Sequence, residues 1–224
     1  MAALTVSLLG GESSGKSTLA HQLTTQLQGA GIQTVLVDEH LRSWCEAAGR
    51  APHAHEQADL AREQTRRIEA ATQSGAQVVV ADTTAVMVAV YSEWYFQDTS
   101  LWPEALAAQR RLDLTLLMGL DLPWVPDGLF RDSAQVREVC DAILRRELQG
   151  AGIGFTPVYG QNEARLQAAL RVVGARLGMP LVSADPAWEQ GTGRWSCENC
   201  SDPDCEHKLF TGLLRQRGLG SEPA

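Results

Sequence analysis

The sequence holds no excess of positive charge: 19 Lys and Arg stand against 27 Asp and Glu, a formal net charge of −8. No basic face is implied, which argues against general affinity for nucleic acid. No apolar run reaches the roughly 20 residues needed to span a bilayer, so no membrane partner is expected. Met1-Ala2-Ala3 carries no basic residue and leads straight into a strand-like run. No signal peptide is read there, and a cytoplasmic protein is expected. Neither an internal repeat nor a low-complexity tract is present. Cysteine is scarce, with five residues in 224, and three of them fall between 197 and 205. In a reducing compartment such a cluster points to metal rather than to disulfides. The remaining composition, 44% hydrophobic over 224 residues, suits one α/β core plus an appendage.

What is there begins with residues 10–17, which read G-G-E-S-S-G-K-S. This is the G-x-x-x-x-G-K-[ST] loop that holds the phosphates of a nucleoside triphosphate. Inward-pointing backbone N–H groups cradle phosphate oxygens, and this requires glycine at Gly10 and Gly15. Lys16 reaches the β- and γ-phosphates, and the Ser17 hydroxyl is placed for Mg²⁺. The nucleotide set is therefore Gly10, Gly11, Glu12, Ser13, Ser14, Gly15, Lys16, Ser17 and Thr18. Context supports the motif. Residues 4–9 form a β-rich apolar run, and Leu19, Ala20, Leu23 and Leu27 share one helical face after Lys16. The partial positive charge of that helix N-terminus adds to the loop.

Further strands are expected at residues 34–37, 77–82, 112–118 and 154–158. Helices are expected at 41–48, 55–71, 83–97, 136–148 and 166–177. Strands alternating with helices imply a parallel sheet covered on both faces, an α/β fold. Residues 1–178 read as a P-loop kinase or ATPase domain. Residues 179–194, with two prolines and two glycines, read as a linker or strap. Residues 195–224 form a Cys/His-rich tail.

Three carboxylates carry candidate chemistry. Asp82 ends an apolar strand, as a Mg²⁺-binding Walker-B aspartate does; a helix N-cap is the alternative. Asp38 and Glu39 end the second strand, expected next to the first. Side chains alternate along a strand, so one of the two is expected to face the phosphates and accept a proton from an attacking hydroxyl. A hydrated turn is the alternative. Residues 121–132, D-L-P-W-V-P-D-G-L-F-R-D, read as a lid over the site. Arg131 and Arg137 are candidates to neutralise transferring charge, with Arg131 preferred. Trp124, a large aromatic in a polar loop, suits stacking on a ring or packing of the lid on the core. Gln64 could touch substrate or bond within its helix face. His53 and His55 read as solvated, and Cys140 as core.

In order along the chain come G-G-E-S-S-G-K-S-T-L, E-H-L-R with Glu39 and Arg42, V-V-A-D-T with Asp82, P-W-V-x-D-G-L with Trp124 and Asp127, and a late G-x-x-x-x-R ending at Arg165. Together they resemble the ribosylnicotinamide kinase domain of NadR-type proteins and related stand-alone P-loop ATPases, over residues 4–178. The resemblance implies a three-layer P-loop nucleoside-kinase-like fold. It implies ATP- and Mg²⁺-dependent phosphorylation of the 5′-hydroxyl of nicotinamide riboside. It favours Glu39 over Asp38, sets Trp124, Arg42 and Asp127 near the substrate, and puts the segment ending at Arg165 near the adenine. Thr84 stands where the family often has a second acidic residue. The competing function is a regulatory P-loop ATPase acting through a partner protein.

Cys197, Cys200, Cys205 and His207 supply three soft ligands and one imidazole within eleven residues. Tetrahedral Cys₃His suits a closed, structural Zn²⁺ site; a reduced surface loop without metal is the alternative. Protein purified without chelator is expected to carry about one zinc per chain, as structural Cys₃His sites do. Metal analysis finding none removes the assignment.

Overall fold

The computed structural model describes residues 2–125 and 133–182. Five strands, β1 (Leu4–Leu9), β2 (Thr34–Val37), β3 (Val78–Asp82), β4 (Leu114–Met118) and β5 (Thr156–Val158), form one sheet. Their order is β2-β3-β1-β4-β5, and every pairing is parallel. Seven α-helices lie among the described residues: α1 (Lys16–Gly29), α2 (His40–Ala48), α3 (Gln57–Thr72), α4 (Ala85–Phe96), α5 (Trp102–Gln109), α6 (Ala134–Gly150) and α7 (Glu163–Leu177). None is long and apolar enough to cross a membrane.

The three-layer arrangement follows from strand alternation. On β1, Val6 and Leu8 face one core, together with Leu116 of β4, Leu19 and Leu23 of α1, and Leu170 and Val173 of α7. The neighbours Leu9 and Leu117 point the other way, into a core shared with α3, α4, α5 and α6. A third cluster joins Val37, Val79 and Ala81 to Ile68 and Ala71 of α3. Each fully buried leucine or valine stabilises the fold by about 1.5–3 kcal/mol. Cys140 is buried in the second core, as its place on an apolar helix face predicts. Leu181 and Val182, the described end of the expected strap, pack on the first core.

Three expectations are corrected. The second strand is not beside the first: β3 lies between them. The reason is burial. Val-Val-Val-Ala-Asp in β3 is buried throughout and pairs on both edges, whereas β2 leaves Val35 and Leu36 half-exposed, as an edge strand can. Asp82, paired in register with Leu8, is therefore the carboxylate next to the loop-bearing strand. Next, α4 starts at Ala85 rather than Thr83. Thr84 caps it, its hydroxyl oxygen accepting from Val86 N at 3.3 Å, so Asp82 is not an N-cap. Finally, α5 went unread. It is two turns long with a proline in its first turn, and too short to show a periodic stripe.

A polar knot ties these parts together. Gln109, at the end of α5, is 1% exposed. Its Nε2 donates to Ser7 Oγ (2.8 Å) and Thr115 Oγ1 (2.9 Å), while its Oε1 accepts from Thr84 Oγ1 (2.8 Å). One amide thus joins β1, β4 and the cap of α4. Gln109→Leu is expected to cost about 2–3 kcal/mol, because buried hydroxyls lose their partners. Urea titration reads this as a lower midpoint with an unchanged slope.

Candidate active site

β1 ends at Leu9 and α1 begins at Lys16, so residues 10–15 must turn within a small space. Gly10 (φ +153°) and Gly15 (φ +81°) adopt backbone that side chains rarely tolerate. A Cβ on Gly10 would lie 2.9 Å from Met118 Cβ, and one on Gly15 would lie 2.9 Å from Leu122 Cδ1. Ser14 Oγ donates to Gly11 O at 2.7 Å, and Lys16 Nζ donates to the same oxygen at 2.9 Å. The first backbone bond into α1 runs from Leu19 N to Gly15 O. The preceding amides at the helix start have no acceptor within the helix and are available to an anion.

Behind the loop sits Arg165, 4% exposed. Its Nη1 donates to Ser14 O (2.5 Å), its Nε to Gly160 O (2.8 Å), and its Nη2 pairs with Asp121. The guanidinium is thus committed to the backbone of the loop and to the start of the lid segment. It braces the phosphate loop from inside.

Asp82 is 3% exposed, and its buried Oδ1 has no hydrogen-bond partner among the described residues. A lone buried carboxylate oxygen is costly unless a cation or donor meets it. Thr83, which follows, has φ +77°, an unusual conformation for a β-branched residue. Across the site, Glu39 is half-buried in the turn between β2 and α2. Burial pushes its carboxyl above the usual range, Lys16 pulls it down, Asp82 pushes it up and Arg42 pulls it down. Asp38 points the opposite way, exposed and 3.8 Å from His21. Strand alternation therefore turns Glu39, and not Asp38, toward the loop.

One cavity of about 830 Å³ joins the phosphate loop to Glu39; Asp82, Asp38 and Arg165 are not among its lining residues. Residues 12–18 line one end. Glu39, Leu41, Arg42 and Cys45 line the side formed by α2, with His53 and Gln57 beyond them. Tyr91, Tyr95 and Phe96 of α4 form an aromatic wall. Burial and then Glu39 push the Tyr91 hydroxyl well above its usual range, so it stays protonated.

A family model described as an AAA domain matches residues 5–165, more than two thirds of the chain. The chain belongs to this AAA-domain family. Among solved structures, it is similar to the NadR protein in complex with NAD and AMP-PNP. The TM-score is 0.66 at 21% identity, covering 82% of this chain and 52% of that one. It is similar also to the NadR protein in complex with NR, with a TM-score of 0.68 at 22% identity, covering 82% of this chain and 54% of the other. The chain spans about half the length of the NadR chains it matches. No curated protein matches it. The NadR-type resemblance thus holds as a shared P-loop, kinase-like fold.

The fold puts Lys16, Ser17 and Glu39 on one cavity, and brings Lys16 and Asp82, far from Glu39 in sequence, within electrostatic reach of it. Arg42 sits on the cavity wall, exposed and paired with Glu46 at 3.3 Å. Trp124 is not among the lining residues; it is half-buried, and its buried indole N–H has no partner. Asp127 and Arg131 lie outside the described residues, as do Cys197, Cys200, Cys205 and His207. Arg137 is described: it is buried, packs against Gly11 and donates to Leu122 O at 2.7 Å. His53 and His55 are exposed and stacked on each other at 5.8 Å. The aromatic wall was missed from sequence. The i, i+4 spacing of Tyr91 and Tyr95 was the available signal.

Because the folded pKa of Glu39 lies above its unfolded value, this group favours folding below that unfolded value. The contribution is lost as pH rises through the folded pKa. At pH 7.5 the buried charge therefore opposes folding. Glu39→Gln is expected to melt at a higher temperature than wild type at pH 7.5, with the two curves converging toward pH 4. Calorimetry across that range checks the sign.

Proposed function

We propose that this domain transfers the γ-phosphoryl group of ATP to a hydroxyl of a small nucleoside, with nicotinamide riboside as the leading acceptor and nicotinamide mononucleotide as product. The observation that carries the reading is the single cavity. It runs from the phosphate loop, past a half-buried glutamate, to an aromatic wall. Similarity to NadR structures holding AMP-PNP and NR supports the nucleotide and acceptor classes.

In this reading Lys16 and the amides of residues 10–18 hold the triphosphate. Glu39 orients the acceptor hydroxyl and takes its proton. A carboxyl pushed upward by burial is a better base than an ordinary one. Asp82, with its unpartnered oxygen, and Ser17 fit Mg²⁺, which when bound neutralises phosphate charge. An arginine from the lid region, Arg131 or the buried Arg137, balances charge on the transferring group. Tyr95 and Phe96 offer the acceptor ring a face, with Arg42 at its edge; Asp127 and Trp124 belong to the lid that excludes water. In the same reading Cys197, Cys200, Cys205 and His207, which lie outside the described residues, are the proposed ligands of one structural zinc ion.

Lys16→Ala and Asp82→Asn are expected to lower turnover by about three orders of magnitude while the fold is kept, and Glu39→Gln by about 10²–10³-fold. Tyr95→Ala is expected to raise KM for the riboside about tenfold with KM for ATP nearly unchanged. The deciding assay is chromatographic detection of nicotinamide mononucleotide from the riboside and ATP. Absence of that product, with ADP release indifferent to the riboside, refutes the acceptor. Hydrolysis without any acceptor marks a regulatory ATPase instead.

A further inference from the structure

Gln64 lies on α3 and is 1% exposed, yet it does not line the cavity. Its Oε1 accepts from His40 N at 2.8 Å. Its Nε2 donates to Asp38 O at 3.4 Å and to Thr83 O at 3.4 Å. The first two partners are the peptide groups on either side of Glu39. In a parallel ladder, a residue's N–H and C=O engage the C=O of residue i−1 and the N–H of residue i+1 on the facing strand. The carboxamide makes that same pair of bonds around Glu39. It does so where the β2–β3 ladder has ended, since the last register pair is Val37 with Ala81. Gln64 therefore acts as one extra residue of β3, supplied by a helix.

The third bond reaches the other strand end. Thr83 directly follows Asp82 and is held at φ +77°, with its N donating to Leu8 O at 3.1 Å. One side chain thus spans the two turns that carry Glu39 and Asp82. The two are like charges: burial first, and the Asp82 charge with it, push the Glu39 carboxyl above its usual range, while Lys16 pulls it down. Two repelling groups on separate turns need a stiff link to keep a fixed separation. A buried amide using both donors and its acceptor supplies one. An apolar side chain would suit the core at this helix position equally well but would leave three backbone groups without a partner.

We propose that Gln64 is a positioning residue, setting the separation of Glu39 and Asp82 for phosphoryl transfer. It touches neither substrate, and the proposal rests on the kinase reading for its kinetic arm only. The experiment compares wild type, Gln64→Met, Gln64→Glu and, as a control on the same helix, Ile68→Val. Gln64→Glu keeps the acceptor for His40 N but has no N–H for Asp38 O and Thr83 O.

Hydrogen exchange by mass spectrometry is expected to quicken about tenfold in residues 38–41 and 83–86 of Gln64→Met, with the rest of α3 and the sheet unchanged. The kcat for the riboside is expected to fall about 10- to 100-fold, and KM for ATP to stay within about twofold, because ångström-scale misplacement affects the chemical step rather than nucleotide binding. Ile68→Val is expected to lower stability without this kcat loss. Should Gln64→Met fail to fold, Gln64→Glu is read in the same way. Unchanged exchange in both segments overturns the proposal, as does a kcat loss that Ile68→Val matches at equal stability. A wild-type protein that forms no product refutes the kinase reading instead, and the exchange result then decides the role of Gln64 alone.

Discussion

A Cβ at Gly10 would lie 2.9 Å from Met118, one at Gly11 the same distance from Arg137, and one at Gly15 the same distance from Leu122. This crowding at the end of β1 is the constraint on which the rest of the structure turns. The backbone must approach β4, Leu122 in the segment after it and the start of α6 closely enough that only hydrogen atoms fit. That approach brings the loop amides and the start of α1 over one spot. The same closeness lets Arg165, from the far end of the domain, reach Ser14 O and Asp121 at once. One side chain of α7 consequently ties the phosphate loop to Asp121.

Around that loop the charges are distributed with purpose. Lys16 is buried and bonded to a carbonyl of its own loop. Asp82 is buried with an oxygen lacking a partner, and Glu39 is held in a form that burial makes easier to protonate. None of these arrangements favours folding by itself. Buried polar atoms without partners each oppose the native state by about 1–3 kcal/mol. They are tolerated because apolar packing on both faces of the sheet supplies the stabilisation. The Gln109 knot and the Gln64 bonds hold the strand ends rigid. Such local opposition to stability is the usual mark of a site kept for chemistry.

Helix α4 shows how one element serves core and site together. Residues 85–90 are wholly buried in the second core. In the last turns of the helix Tyr91, Tyr95 and Phe96 become a cavity wall. The aromatic residues of this segment cluster in its last two turns, beyond the buried run 85–90. Trp124 illustrates the converse. It is a conspicuous aromatic in a polar loop, and yet it lies off the cavity lining among the described residues.

The sequence by itself determined the phosphate loop and every long element, though not the two-turn α5. Glycine spacing, 3.6-residue stripes and continuous valine runs are local signals, and local geometry answers them: β1, α1, β2, β3, α6 and α7 fall where their patterns place them. It also narrowed the candidate carboxylate of this strand end to Asp38 or Glu39, because alternation along a strand is local too. Tertiary structure decided what depends on which surfaces meet. It set β3 rather than β2 beside β1, since only pairing energies between distant segments rank the strands. It turned Glu39 inward and Asp38 toward His21. It gave Arg165 to the loop backbone, and it made Gln64 a substitute strand residue instead of a substrate contact. Hydrogen bonds across 24 or 151 positions of chain leave no periodic trace, because their partners become neighbours only once the sheet has formed.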